Sequence, residues 1–453
     1  METKFNNLDI DITSLLKINY KNCSYCNKPF IEELWCKECD PFRRMQGWTS
    51  GNPDIDKFIK DTMHKPEYNE FISRYTFIEW VPFDRFIDIK EIGEGGFAKV
   101  YSAIWIDGPS VYHKNYNGKY QKERPKPMKI ALKRLNGSQN ISNKYLNELK
   151  IHWNLYKIYG LNLYGLTKDP ETKEFMMIIR FADKGSLRSN LLSNKFNNIL
   201  WKDKIMLLWR ISADLVNLHD LNYFHKDFHS GNILRVSDNI FYISDFGLSG
   251  PASEQNSGDK IYGVLPYIAP EVLNGEPYTS SSDIYSLGVI MTELSSGILP
   301  FYNKKHDLSL ALEICNGLRP KFGKGTPEFY KKLAYRCMNA NSNERPTAIE
   351  LVKILKFWYN SIICINKKEE FGYKGKEIEA AFKQADKEIS NILALHKKNP
   401  DAVYVSRAFT FSNLLSKPVN SSIITSYIDN EESGKDCRDS QLGDLEISDS
   451  IQF

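Results

Sequence analysis

The 453-residue chain contains no apolar run approaching the roughly 18 residues a membrane-spanning helix needs, so no membrane span is expected. It also lacks a large charge excess of either sign: 60 Lys and Arg stand against 56 Asp and Glu, a formal net charge of +4. The surplus lysines are spread along the chain, which removes bulk charge as an argument for nucleic-acid binding. The first residues, Met1-Glu-Thr-Lys-Phe-Asn-Asn7, carry no basic segment followed by an apolar one, so no secretory signal is expected. Cysteine is sparse. Of eight, four fall in two CxxC units, and Cys315, Cys337, Cys364 and Cys437 are scattered. That usage fits a reducing compartment better than a disulfide scaffold. Together these absences point to the cytoplasm, with the nucleus left open.

Residues 1–22 are mixed in composition and expected to be a flexible N-terminus. Cys23-Ser-Tyr-Cys26 and Cys36-Lys-Glu-Cys39 follow, within 23–40. Four thiolates on two such turns can close a tetrahedral Zn²⁺ site, and a segment this short needs the metal for its folding energy. The same residues can also be read as reduced surface thiols; zinc is the expectation because both spacings suit a ligand turn. Residues 41–85 are a linker. Gly47-Trp-Thr-Ser-Gly-Asn-Pro53 is a cluster of turn formers, and Ile55, Phe58, Ile59 and Met63 are spaced as on one helix face.

Phe86-Ile-Asp-Ile-Lys-Glu-Ile92 and Tyr101-Ser-Ala-Ile-Trp-Ile106 alternate as strands around Gly93-Glu-Gly-Gly-Phe-Ala-Lys-Val100. Glycines let backbone N–H groups approach phosphate oxygens without a Cβ in the way. Met128-Lys-Ile-Ala-Leu-Lys-Arg-Leu135 continues the strand pattern, and 107–127, rich in Tyr, Asn, Lys and Pro, is expected to be an exposed loop. From Lys144 to Leu155 the pattern is amphipathic: Tyr145, Leu149 and His152 or Trp153 share a face, with Glu148 on or beside it. Phe175-Met-Met-Ile-Ile179 is a short buried strand. Ile205, Leu208, Ile211, Leu215 and Leu218 mark a core helix ending before Tyr223-Phe-His-Lys-Asp-Phe-His-Ser-Gly-Asn-Ile-Leu234. That stretch holds Asp227 and Asn232 with Gly231 between them, and Ile243-Ser-Asp-Phe-Gly247 lies just beyond. One carboxylate to receive a hydroxyl proton, plus an amide and a second carboxylate to hold Mg²⁺, is what phosphoryl transfer from ATP requires.

These motifs, in this order over 86–358, resemble the eukaryotic protein kinase superfamily, and most of all its tyrosine-kinase-like group. The resemblance implies an α+β, bilobal fold, with a small β-rich N-lobe and a larger helical C-lobe, joined here to the short zinc-ribbon-like segment. It implies a protein kinase using ATP and Mg²⁺ in intracellular signalling. Gly93, Gly95, Gly96, Phe97, Val100, Ala131, Lys133 and Ile179 would then line the nucleotide. Lys133 would contact the phosphates and be fixed by Glu148; Asp227 would take the hydroxyl proton; Asn232 and Asp245 would hold Mg²⁺. Glu271 would pair with Arg345, and Asp283 would brace the catalytic loop. The partners implied are protein substrates and, for the activation segment, an upstream kinase or autophosphorylation. Ser249, Ser253, Ser257 and Tyr262 offer hydroxyls there, though each is also ordinary loop polarity.

The chain departs from the family pattern at several places. Ala98 replaces a glycine, Lys226 an arginine, His229 the phosphate-contacting lysine of serine/threonine kinases, and Val264 a threonine. His229 either donates to phosphate or packs. Ser/Thr is the expected acceptor class, with Tyr and dual specificity open. A pseudokinase scaffold is the alternative, although Lys133, Asp227 and Asp245 are all present. Residues 359–405 are expected to be a helical extension, with Ile378, Phe382, Ala385, Ile389 and Leu393 spaced for burial along Glu377–His396. Residues 406–453, Ser-rich and acidic from Asp429, are expected to be disordered.

Overall fold

The computed structural model describes residues 48–64, 67–69, 74–95, 98–114, 120–122, 126–139, 141–158, 160–193, 199–250, 260–365, 368–388, 398–411, 415–422 and 424–426. The chain forms two compact units. One comprises Met1–Ser186 and Ile233–Ser249, the other Leu187–Asn232 and Gly250–Phe453.

The first unit is β-rich. Helix α1 (Pro53–His64) opens it. Asn52 caps that helix, its Oδ1 accepting from the N–H groups of Asp54 and Ile55 at 3.0 and 3.1 Å. Ile55, Ile59 and Met63, one turn apart, are buried. Then come β1 (Glu67–Asn69), β2 (Arg74–Thr76), β3 (Glu79–Trp80), β4 (Phe86–Glu94), β5 (Ala98–Trp105), β6 (Tyr112–Lys114), β7 (Tyr120–Lys122) and β8 (Met128–Leu135). Helix α2 (Asn143–Ile158), β9 (Leu163–Lys168), β10 (Phe175–Arg180) and the hairpin of β11 (Ile233–Arg235) and β12 (Phe241–Ile243) complete it. The main sheet has the order β3-β9-β10-β8-β5-β4. Strand alternation sorts its side chains. Ile130, Leu132, Met176 and Ile178 join Phe86 and Trp105 on one face. Ala131, Met177 and Ile179 join α1 and the α2 residues Tyr145, Leu149 and Trp153 on the other. Lys133, two residues after Ala131, keeps that second face and so points toward α2.

Residues 107–127 are not the plain exposed loop expected. β6 and β7 pair, and Tyr112 pairs with Tyr75, which joins them to β1 and β2 in a four-stranded sheet built partly from the 41–85 linker. Tyrosine favours extended backbone, and that outweighs a composition that otherwise reads as loop. The start of the insertion is also tied down. Glu79 accepts from the Ser110 backbone N–H and hydroxyl at 2.7 and 2.8 Å, and Arg85 holds Asp107 by two 2.8 Å contacts.

The second unit is mainly helical. It contains α3 (Leu187–Leu192), α4 (Trp201–Asp220), β13 (Ile261–Gly263), α5 (Pro270–Leu273), α6 (Ser280–Ser296), α7 (Leu308–Cys315), α8 (Glu328–Cys337) and α9 (Ala348–Ile362). β14 (Glu369–Glu370), β15 (Tyr373–Lys374), α10 (Gly375–Glu388) and β16 (Arg407–Phe409) follow. The α4 stripe of Ile205, Leu208, Ile211, Leu215 and Leu218 is fully buried. Helix α6 is buried almost all round, as a helix in the middle of a core must be, and it stops at Gly297, whose φ of 69° suits a residue without Cβ. In α10, Ile378, Phe382 and Ala385 are buried, with the Phe382 ring 5.3 Å from that of Trp201. The helix expected over Glu377–His396 is described to Glu388; Ile389 and Leu393 lie outside the described residues.

The expectation of disorder over 406–453 is corrected at its start. β16 pairs with β13; Phe409, Phe411 and Ile424 are buried; Asn420 Oδ1 accepts from the Ala340 N–H at 2.8 Å. The serine content hid a local run, Arg407-Ala-Phe-Thr-Phe411, that supplies aromatic surface and precedes the acidic stretch. The acidic stretch from Asp429 lies outside the described residues, as do 1–22 and the CxxC pairs.

Candidate active site

In the first unit the site is built around one buried cation. Lys133 lies on β8, 4% exposed, and its Nζ donates to Glu148 Oε1 at 2.6 Å and to Asp245 Oδ1 at 2.8 Å. Glu148 is placed by the turn of α2 that carries Tyr145 and Leu149 into the core, so the amphipathic pattern and the carboxylate arrive together. Asp245 follows β12 in a left-handed conformation, φ 66°, which Asp tolerates better than most side chains. Phe246 behind it is buried, its ring 4.8 Å from that of His152 on α2. Burial alone would lower the pKa of Lys133. Asp245 and Glu148 outweigh that and raise it above the ordinary lysine value, so the ammonium is a fixed charge. The two acids differ: the Glu148 side chain is 1% exposed and that of Asp245 47%.

The same sheet face extends from this cation. Val100 pairs with Lys133 across β5 and β8, and Ile179 pairs with Ala131 across β10 and β8, so these side chains and Lys133 line one apolar floor. Above its edge, Gly93, next to last in β4, lies opposite Val100, and the Gly95 N–H donates to the Ala98 carbonyl at 2.8 Å. A Cβ added at Gly93 would meet nothing within 4 Å, and no positive φ demands a glycine there. The fold does not need glycine at this point, which fits room kept for a phosphate group. Gly96 and Phe97 lie outside the described residues.

In the second unit, Asp227 sits in the loop after α4. Asp283, 2% exposed at the start of α6, accepts from the backbone N–H groups of His225 and Lys226 at 2.9 and 3.2 Å and lies 3.0 Å from His219 Nε2. Asn232 turns inward, its Nδ2 donating to the Asp227 carbonyl at 2.9 Å. His229 Nδ1 accepts from the Gly231 N–H at 3.0 Å, which puts the proton of a neutral ring on Nε2, 3.6 Å from Asp227 Oδ1. Its ring packs against Tyr267 at 5.7 Å. Glu271 and Arg345 meet as expected, in two 2.6 Å contacts.

Sequence reasoning missed the support beneath this loop. The Ser230 and Tyr267 hydroxyls donate to Glu293 Oε1 at 3.0 and 2.8 Å, and burial pushes the Glu293 carboxyl up to about 7 against those hydrogen bonds. Glu293 lies in an apolar helical run, where an acid with no internal reason to be buried is the signal that was available. Of the activation-segment hydroxyls, Ser249 is buried, Tyr262 lies in β13, and Ser253 and Ser257 lie outside the described residues. Among the described residues no group of three or more His, Cys, Asp or Glu side chains is gathered as for a metal; Cys23, Cys26, Cys36 and Cys39 fall outside them. No helix among the described residues is long and apolar enough to cross a membrane.

Comparison with known proteins agrees with this geometry. Residues 87–355 match the family described as protein tyrosine and serine/threonine kinase. A probable serine/threonine-protein kinase of Dictyostelium discoideum is 28% identical over 275 residues, covering 59% of this chain and 15% of that protein. A probable LRR receptor-like serine/threonine-protein kinase of Arabidopsis thaliana is 27% identical over 326 residues, 65% of this chain and 29% of that protein. The chain thus spans well under half the length of these curated relatives.

Proposed function

We propose, from the premise that this chain belongs to the protein tyrosine and serine/threonine kinase family, that it transfers the γ-phosphate of ATP to serine and threonine hydroxyls of proteins. The observation that carries this reading is Lys133, a buried ammonium held between Glu148 and the half-exposed Asp245. A cation kept charged at that cost in desolvation is suited to an anionic ligand. Each unit carries one donor of the type the family uses for Mg²⁺, an amide at Asn232 and a carboxylate at Asp245, both hard oxygen ligands. Asn232 and Asp245 would hold Mg²⁺, which would supply neutralisation of charge on the nucleotide phosphates.

The chain's own residues would do the rest. Lys133 would anchor the nucleotide phosphates, and Glu148 would keep its ammonium from drifting. Gly93 and Gly95 would let backbone approach them. Val100, Ala131 and Ile179 would form the apolar floor for the base. Asp227 would accept a hydrogen bond from the incoming alcohol and take its proton, and Asp283, which holds the backbone at His225 and Lys226, would aim it. The transition state is loose, so positioning and charge carry the rate. The serine/threonine class is supported by the names of both relatives. Cytoplasmic signalling, phosphorylation of the activation segment by this or an upstream kinase, and a structural zinc on the four N-terminal cysteines remain part of the same proposal, the zinc resting on CxxC spacing alone.

The test is phosphotransfer to a protein substrate by the purified full chain, beside Asp227→Asn. Magnesium-dependent transfer to serine or threonine, lost in the variant, is expected. Nucleotide binding without turnover would favour the scaffold reading, for which Lys226 and Ala98 are the departures that count.

A further inference from the structure

We propose that the segment Tyr404–Phe411 is a competitor in cis for the protein substrate, seated on the strand edge that a substrate must use; this rests on the kinase reading above. The argument starts at Gly263. A Cβ built there would lie 3.5 Å from Asp227 Oδ1, so β13 runs directly beside the carboxylate that receives the acceptor hydroxyl. A peptide delivering such a hydroxyl has to run alongside β13, and an extended segment does so most simply by adding a strand to a bare edge through main-chain hydrogen bonds. That edge is taken. β16 pairs with β13 antiparallel, Arg407 opposite Gly263, Ala408 opposite Tyr262 and Phe409 opposite Ile261. Among the described residues β16 is the one strand that β13 pairs with.

The occupant is fastened on both sides of its ladder, on the far side by the Val419 N–H donating to the Cys315 carbonyl at 2.9 Å. On the N-terminal side, the Tyr404 hydroxyl donates to the Pro300 carbonyl at 2.8 Å, Arg188 donates to the Tyr404 carbonyl, and His306 Nδ1 lies 2.8 Å from the Val403 carbonyl. Arg407 donates to the His306 carbonyl and lies over the Phe409 ring, which stacks on Phe411 at 5.2 Å. The ladder itself is three residues long, too short to hold by itself. A short ladder beside a firm anchor is a segment that a substrate can lift without releasing the tail, and one whose local concentration at the edge stays high when substrate is scarce.

The test is steady-state phosphotransfer to dephosphorylated casein by the full chain, in the wild type, Arg407→Ala and Phe409→Ala. Arg407→Ala should lower the KM for casein roughly tenfold, about what a charge-assisted hydrogen bond contributes, Phe409→Ala should lower it in the same direction by removing the stacked ring, and both should leave the KM for ATP unchanged. A synthetic peptide of residues 402–411 should restore the higher casein KM to Arg407→Ala in competition with casein and not with ATP. Casein KM unchanged or raised in both variants, or a peptide that competes with ATP, overturns the proposal. Should the variants fold poorly, amide exchange in the wild type decides: saturating casein must speed exchange at Arg407–Phe409, and unchanged protection there sinks it. No turnover by the wild type or by either variant would instead remove the kinase reading, and the proposal with it.

Discussion

Glu271–Arg345 in the helical unit and Glu148–Lys133 in the β-rich unit are both buried ion pairs, yet they are finished differently. Arg345 meets both oxygens of Glu271 at 2.6 Å, gives two further donors to the carbonyls of Asn339 and Ser281, each at 2.9 Å, and its side chain is wholly buried. The guanidinium fork matches the carboxylate, and neither partner faces solvent where a ligand could reach it. Lys133 is a point charge shared by two acids, one of them half-exposed. The first arrangement closes a structure; the second holds a charge ready. A salt bridge in a core is therefore not one kind of object, and what separates the two cases is whether one of the paired acids reaches solvent.

Removing one partner from the closed pair should give the largest effect. Arg345→Ala leaves Glu271 buried and uncompensated, so unfolding in denaturant should show a loss of about 3–5 kcal/mol. The open pair should invert that balance. Lys133→Met should cut phosphotransfer roughly a hundredfold to a thousandfold, while lowering the melting temperature less than Arg345→Ala does, because it strands one buried acid, Glu148, whereas Arg345→Ala strands Glu271 together with the carbonyls of Asn339 and Ser281. Equal melting temperatures for the two variants would erase the distinction. Gly93→Ala sharpens it from the other side. The fold has space for the methyl, so stability should be unchanged, while the KM for ATP should rise roughly fivefold, an effect of about 1 kcal/mol. The smallest effect concerns a buried acid that burial holds protonated against the pull of Arg188 and two hydroxyls. Glu293 titrates near 7 in the folded chain against an ordinary 4.5. The native state therefore holds an extra proton between those values, and its contribution to stability is present at low pH and lost as pH rises toward 7. Glu293→Gln should flatten the melting temperature across that window; an unchanged slope would refute the assignment.

Much of this site was legible before any coordinates. Lys133 and Ala131 share a strand face by simple alternation, Glu148 shares a helix turn with Tyr145 and Leu149, and the spacing that singled out Asp227 and Asn232 brings the Asn232 amide back onto the Asp227 carbonyl. What was not legible depended on partners distant in sequence. β16 finds β13 across more than a hundred residues, and three-residue strands such as β6 and β7 show no period long enough to read. His219 lies at the end of an ordinary core helix, and only the fold reveals that it faces Asp283.

Helix α1 has a practical bearing on how this protein can be handled. The stretch that matches the family begins at Ile87, yet Ile55, Ile59 and Met63 fill the same cluster as Tyr145, Leu149 and Trp153. A recombinant fragment started at the family boundary would leave an oily scar over the back of α2, and α2 is what positions Glu148. Such a fragment should precipitate or lose nucleotide affinity, so any expression boundary belongs upstream of Trp48, whose ring packs on that cluster as well.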